Sequence, residues 1–471
     1  MRPLNTVSTL CRASALSLLV SACGVSPLGS GAGGDGGGDS TSSAGAGDGS
    51  SSSSGAGGGS SASSGAGAGS SSSSGAGAAC PGPSPAGCKT EGCPAGQTCV
   101  DEGCTPSSCE CDPATGTWRC TDDCGGGTCV QGCDPDVRED SLLVTSQAEL
   151  EQLRGMTALR GSLEVTRRVT DLSPLECLTT IDGNLMILEN PELRNLDGLR
   201  SLEEVAGTII VSGNPLLESV AGVAVKAQMW HIAHNASLES LSGFEVVEAG
   251  VISLEANARL ASLRPLGNLR QSAITLFDND ALTSLEGINA SHLDGLHITG
   301  CDGLVSLKGI NALETVGLLV LHENLNLSSL EGLEKLRTAD ELHLWTNENL
   351  SSLERLEDLV QVGILDISGN PELADLTGLT SLESVRSLVV TDNDALLDLT
   401  GLEDVSELES LVISDNLALT TLSGLGARSI SSMAVTGNRS LTSCEIAAFV
   451  AGLEEVGSVR EEENATSTCS P

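Results

Sequence analysis

Through the last three hundred residues, apolar side chains recur in one fixed phrase. Leu185 and Ile187 precede Asn190, Leu342 and Leu344 precede Asn347, and Leu411 and Ile413 precede Asn416. Each pair stands five and three positions ahead of its asparagine, the period of two expected of a strand that buries one face. The asparagines fall at Asn190, Asn214, Asn235, Asn257, Asn279, Asn324, Asn347, Asn370, Asn393, Asn416 and Asn438. Counting places Cys301 and Arg168 in the same slot, and the steps from Arg168 to Asn438 are then 22, 24, 21, 22, 22, 22, 23, 23, 23, 23, 23 and 22 residues, or thirteen coils. This period and the L-x-L-x-x-N/C text predict a mainly β repeat solenoid of the leucine-rich kind, each coil giving one strand to a parallel sheet.

The slot residue has a physical reason. At the bend after each strand, a side-chain amide can donate to and accept from backbone groups that would otherwise be buried unpaired, a lapse of about 1–3 kcal/mol each. Stacked coils turn these amides into a ladder. Cysteine is small and weakly polar enough to take a rung, so Cys301 is expected to be structural, not reactive.

Between marks the text is formulaic: Asn190-Pro191, Leu193, Leu196, Gly198, Leu199, Leu202, Val205, Gly207, and again Asn370-Pro371, Leu373, Leu376, Gly378, Leu379, Leu382, Val385. Residues 141 to 469 resemble the receptor L-domain, the β-solenoid of insulin- and EGF-type receptor ectodomains, and above all its long bacterial versions in lipoproteins of the myxobacterial kind. The resemblance implies a solenoid that binds through its sheet face. One departure is Met156, where such domains often carry a cysteine before the first coil.

Both ends of the array read as short helical caps, which a solenoid needs. Ser146-Gln147-Ala148-Glu149 is a capping box ahead of Leu150 and Leu153. Thr442-Ser443-Cys444-Glu445 opens a second helix, with Ile446, Phe449, Val450 and Leu453 on one stripe. Cys444 and Cys469 bracket that helix and are expected to be bonded, closing a loop worth about 3 kcal/mol in the chain-entropy model.

The alternation also defines the open face of the sheet. Residues four and two before each mark should point outward. In an otherwise aromatic-poor chain, with no Tyr, 3 Phe and 3 Trp, the outward columns gather Phe277, His297, His322, His343 and Trp345 on coils six to nine. They are the candidate ligand-binding residues, expected to be exposed there, and Phe277, His322 and Trp345 share one column with only Thr299 between them. His297 and His343 beside Glu255, Glu323 and Asp366 predict binding that changes between about pH 6 and 7. The alternative is that these are ordinary surface residues.

The N-terminal text sets the address. Arg2 and Arg12 flank a start whose apolar run, Ala13 to Ala22, is too short to span a bilayer and suits an export signal over residues 1–22. Leu19-Val20-Ser21-Ala22-Cys23 resembles a bacterial lipobox, which implies cleavage before Cys23, acylation there and a membrane anchor. A simple secretory signal cut at a small-residue site is the alternative. Gly24 in place of Asp points to the outer membrane. Residues 23–79 hold the lipidated cysteine and a Gly/Ser/Ala tether that cannot bury a core. The 56 residues after Cys23 give an end-to-end distance of about 40 Å as a coil, or roughly 190 Å pulled straight. A dinucleotide-like text at Gly31–Gly36 lies inside this tether, with no strand before it and no helix after it, and carries nothing.

Residues 80–137 read as a cysteine-rich disulfide module, with eleven cysteines between Cys80 and Cys133. No histidine occurs before His231, and an exported chain meets an oxidising compartment, so disulfides are expected over zinc. Of 17 cysteines, the signal, the lipid, the ladder and the C-terminal cap account for Cys11, Cys23, Cys301, Cys444 and Cys469. Cys177 joins the eleven to make six bridges, and one of them would weld the module to the first coils. The pairing cannot be read from spacing.

A formal charge of −40 argues against nucleic acid as a partner. No catalytic constellation can be assembled, and no cofactor is implied. His231-x-x-His234 lacks a third ligand and reads as a solvated pair. Asp278-Asn279-Asp280 and Asp392-Asn393-Asp394 spend their central asparagine on the ladder, and the sequons at Asn235 and Asn438 fail for the same reason. The sequence therefore predicts a lipid-anchored envelope protein acting as a non-enzymatic binding or adhesion module. Its partners would be a membrane, through the lipid, and a protein or glycan ligand on the concave sheet face. A structural envelope spacer without a ligand is the alternative.

Overall fold

The computed structural model describes residues 133, 136–220, 225–242, 248–264, 266 and 272–467, together with the backbone of four short strands between 97 and 131. The expected signal segment, Cys23 and the tether lie outside the described residues, as does Cys469.

Each apolar phrase forms a strand, and the strands stack in sequence order into one 19-stranded sheet whose pairings are parallel throughout. The longest run eight residues, as in Thr315–His322, Thr338–Trp345 and Gln361–Ser368. Register is constant, so equivalent residues lie side by side: His343 between Val320 and Asp366, and Trp345 between His322 and Ser368. Position Asp340 drops out of the pairing, as Gly317 and Gly363 do on either side. The extra residue lets Ala339 and Leu342 both turn inward although they are three apart, and both are buried.

The core is a column of leucines. In one coil Leu342, Leu344, Leu350, Leu353, Leu356 and Leu359 are all fully buried, each contributing about 1.5–3 kcal/mol before chain entropy is subtracted. A coil alone could not enclose them, and stacking does. The recurring glycine of the phrase marks where coils touch most closely. A Cβ on Gly378, inside the short 3-10 turn Thr377–Leu379, would stand 1.9 Å from the carbonyl oxygen of Leu353 in the preceding coil.

The ends differ in part from the reading of the sequence. At the N-terminus Ser146 caps a helix of only four residues, Gln147–Leu150, while Glu149 turns back to the amide of Thr145 at 2.7 Å. The Thr145 amide, and after it the Thr145 hydroxyl at 3.0 Å, hold the Glu149 carboxyl below its usual range. The sheet reaches further upstream than residue 141, because Val137–Arg138 pairs with Ala158–Leu159. At the C-terminus Thr442 caps the helix Ser443–Gly452 and Ile446 is buried, but the sheet does not end there. One more parallel strand, Glu455–Glu462, follows the helix and pairs with Ser429–Thr436.

In the cysteine-rich segment, Gln97–Val100 pairs antiparallel with Thr128–Gln131, and Cys109–Asp112 with Thr117–Cys120. Cys133 is bonded to Cys177, which ties the end of this segment to the second coil across 44 residues. The other cysteines between 80 and 129 lie outside the residues whose side chains are described.

Candidate functional site

The asparagine ladder is the frame on which the sheet face is held. Asn347 donates its backbone amide to Asn370 Oδ1 at 3.1 Å, and Asn370 does the same to Asn393 at 3.1 Å. Each Nδ2 reaches back to the last inward carbonyl of the preceding coil, as from Asn370 to Leu344 at 2.9 Å. Asn190, Asn214, Asn235, Asn257, Asn279, Asn324, Asn393, Asn416 and Asn438 make the same backward bond, and all are fully buried. Two rungs differ from the count along the sequence. Arg168 is exposed and its amide bonds to Thr166, whereas Val169 is buried and donates to Asn190 Oδ1 at 3.2 Å. Arg167, at φ 78°, is the left-handed corner that other coils also place after the strand, as at Glu189 and Asp278, so the added residue is Arg168 itself, which stays in solvent. At the other end Asn464 adds a rung beyond Asn438, accepting its amide at 3.0 Å.

Cys301 sits on the ladder with its amide bonded to Asn324 Oδ1 at 3.1 Å and its Sγ facing the Thr299 carbonyl at 3.7 Å. Burial pushes its thiol up to about 12. Since thiolate is the reactive form, a thiol reagent at pH 8 should leave Cys301 unlabelled in the native protein and label it on unfolding. Rapid native labelling would refute this placement.

On the outer face the five aromatic candidates come together. Phe277 and His297 stack edge to face with ring centres 4.9 Å apart. His343 and Trp345 lie 4.5 Å apart, and His322 meets Trp345 at 6.0 Å. They are less exposed than alternation alone predicts: His343 is buried, with 9% of its surface accessible, and the other four are half-buried. Adjacent strands bring neighbours close enough to cover one another, so even Val320, in the outward column, is buried.

Burial is also the first cause, and the positive potential of His322 and His343 the next, that brings His297 down to about 4. His297 therefore stays neutral from pH 7 to 6 and cannot carry a pH-dependent contact in that window. Its Nε2 meets Thr299 Oγ1 at 2.9 Å. Glu341, six positions before the mark, was not singled out in the sequence, yet it is part of the patch, its carboxylate 3.1 Å from His343 Nε2. One more step of the same period-two pattern would have found it. Asp366 lies 4.0 Å from His343 Nδ1, and Glu323 lies 3.8 Å from His322.

His231 and His234 meet across one carboxylate, at 4.0 and 3.9 Å from Glu255. His231 is not a solvated residue: its side chain is 19% exposed, Nδ1 bonds to Ser253 Oγ at 3.1 Å, and burial pulls its imidazole below the usual value. Among the described residues no group of three or more His, Cys, Asp or Glu is arranged to hold a metal ion. Asn279 and Asn393, the centres of the two Asp-Asn-Asp texts, are committed to the ladder, and so are the sequon residues Asn235 and Asn438. Cys444 is disulfide-bonded, with its partner outside the described residues.

The coil architecture, the rung chemistry and the sheet define a receptor L-domain-like, leucine-rich-repeat-type solenoid. Residues 136–231 match the Receptor L domain family. Among solved structures the chain is similar to one titled "Crystal structure of TLR13-ssRNA13 complex", at 15% identity and a TM-score of 0.19, over 68% of this chain and 66% of that one. The chain thus spans 66% of that neighbour's length. No curated protein matches it.

Proposed function

We propose that this protein is a non-enzymatic recognition module, held at the cell envelope by a lipid on Cys23 and binding a protein or glycan through the outer sheet face around Trp345. The supporting observation is the patch itself. In a chain with six Phe and Trp residues, Phe277 and Trp345 are held with three imidazoles on four adjacent strands. Large rings on a rigid sheet lose little entropy on binding, and such anchors dominate interface energies. Anchorage rests on the lipobox-like text before Cys23 and the tether after it.

The test has two arms. Cys23→Ser should move the protein from the membrane fraction to the soluble one. With Phe277, His322 and Trp345 all changed to alanine, binding to isolated envelope material should fall at least about thirtyfold, since one aromatic anchor contributes on the order of 2 kcal/mol. A circular dichroism melt would confirm that the variant still folds. Unchanged binding in the folded triple variant would leave only the spacer reading.

A further inference from the structure

We infer that the occupant of this face is a basic polypeptide segment, which places a lysine or arginine head group against Glu341, His343, Trp345 and Asp366. The inference rests on the recognition reading above and names its partner class.

Charge is the first ground. From coil three to coil thirteen, the outward positions two, four and six before each mark hold no lysine or arginine, whereas Glu255, Glu341 and Asp366 stand among them and Glu323 at a corner beside them. Arg386, exposed on the strand Ser384–Thr391 with its guanidinium beside Gly363, is a cation on the same face, but the carboxylates outnumber it in a chain of charge −40, and such a face attracts cations and repels anions.

The second ground is local and independent of net charge. His343 Nε2 lies 3.1 Å from the Glu341 carboxylate, which accepts its proton, so in the neutral ring Nδ1 is left as an acceptor. That Nδ1 is buried and has no hydrogen-bond partner. The group opposite it, 4.0 Å away, is Asp366 Oδ2, an acceptor on a side chain only 20% exposed whose other oxygen, Oδ1, is already taken by Ser368 Oγ. Two acceptors facing each other lack a donor, and an ammonium or guanidinium offers N–H groups to both. Trp345 adds a π-face within reach of the same cation, its ring centre 4.5 Å from that of His343. Leu318, 37% exposed, and Ile364 pair on either side of Glu341 and can cover an aliphatic stem. From Phe277 to Trp345 is three strand spacings, about 14 Å, room for an extended segment of about four residues.

The test uses the full-length protein and a synthetic peptide of alternating lysine and serine, titrated calorimetrically at physiological salt. A second peptide has every lysine acetylated, which keeps the stem and removes the charge. Wild type should bind the first peptide and bind the second at least about tenfold more weakly. Glu341→Gln with Asp366→Asn should cost at least about tenfold. Glu383→Gln with Glu403→Gln removes the same charge at exposed positions outside the patch and should leave affinity within about twofold.

Equal losses in both double variants would reduce the effect to net charge and overturn the site. Absence of peptide binding, alongside Trp345-dependent binding to neutral cell-wall oligosaccharides or envelope material, would overturn the basic partner and leave recognition standing. Envelope binding that ignores the triple alanine variant removes the recognition reading itself.

Discussion

An Asn370→Asp variant should lose roughly 4 kcal/mol of folding stability at neutral pH, although it changes one atom of the side chain. Asn370 is fully buried, its Oδ1 accepts the Asn347 amide at 3.1 Å, and its Nδ2 donates to the carbonyls of Leu344 at 2.9 Å and Ser368 at 3.3 Å. An aspartate keeps the acceptor and loses the donor, so a carboxylate oxygen is pressed against two carbonyl oxygens with no counter-ion. It escapes by holding a proton, which raises its folded pKa above the unfolded value of about 3.9. The sign follows: below the unfolded pKa both states are protonated and this penalty vanishes, and it grows as pH rises towards the folded pKa. Urea unfolding at pH 7 and pH 4 should therefore show a deficit that shrinks on acidification. Asn370→Ala, which only orphans the Asn347 amide and the Leu344 carbonyl, should cost about 2–4 kcal/mol with no such pH dependence. A deficit below about 1 kcal/mol at pH 7 would mean that the ladder does not hold the coils together.

Much of this frame was legible because a solenoid repeats its reasons. The inward pair, the rung and the glycine where coils pinch recur every coil, and an apolar period of two says which side of the strand is wet. What the pattern missed are single-residue events. Counting back from Asn190 lands on Arg168, and only the strand register and the Val169 amide bond show that the chain gained a residue after the usual corner and gave Val169 the slot. The last strand was missed because Glu461 stands where the inward leucine or isoleucine belongs, and because Asn464 follows Asn438 after 26 residues. At Arg355 a side chain occupies the place of the phrase's glycine, at φ 90°.

The face was legible as a set of columns but not as chemistry. Alternation places His297 and His343 outward. It cannot say that neighbouring rings and hydroxyls cover them so well that His297 falls to about 4. It also gives no distances, so the unmatched His343 Nδ1 and the approach of Glu341 emerge only when strands from different coils lie in register.

Removing the Cys133–Cys177 bridge, by changing both residues to serine, should lower the stability of the first coils by about 4 kcal/mol, the chain-entropy value for a closed loop of 44 residues. The reason lies in how little else holds this end. Val137–Arg138 is a two-residue strand, exposed at both positions, and among the described residues it pairs with Ala158–Leu159 alone. Around it, the backbone bonds from Thr157 to Asp136 at 2.9 Å and from Arg160 to Arg138 at 2.8 Å are few and near solvent. Cys177, by contrast, is buried directly after the turn Ser173–Leu175, so the bridge fastens a weak edge to a packed coil. A solenoid passes stability only between neighbours, so the loss should appear in hydrogen exchange as faster opening of coils one to three, with coils ten to thirteen still protected. Uniform acceleration along the array would make the bridge a global staple instead. No acceleration would show that packing of Leu150, Leu159 and Leu175 holds this end unaided.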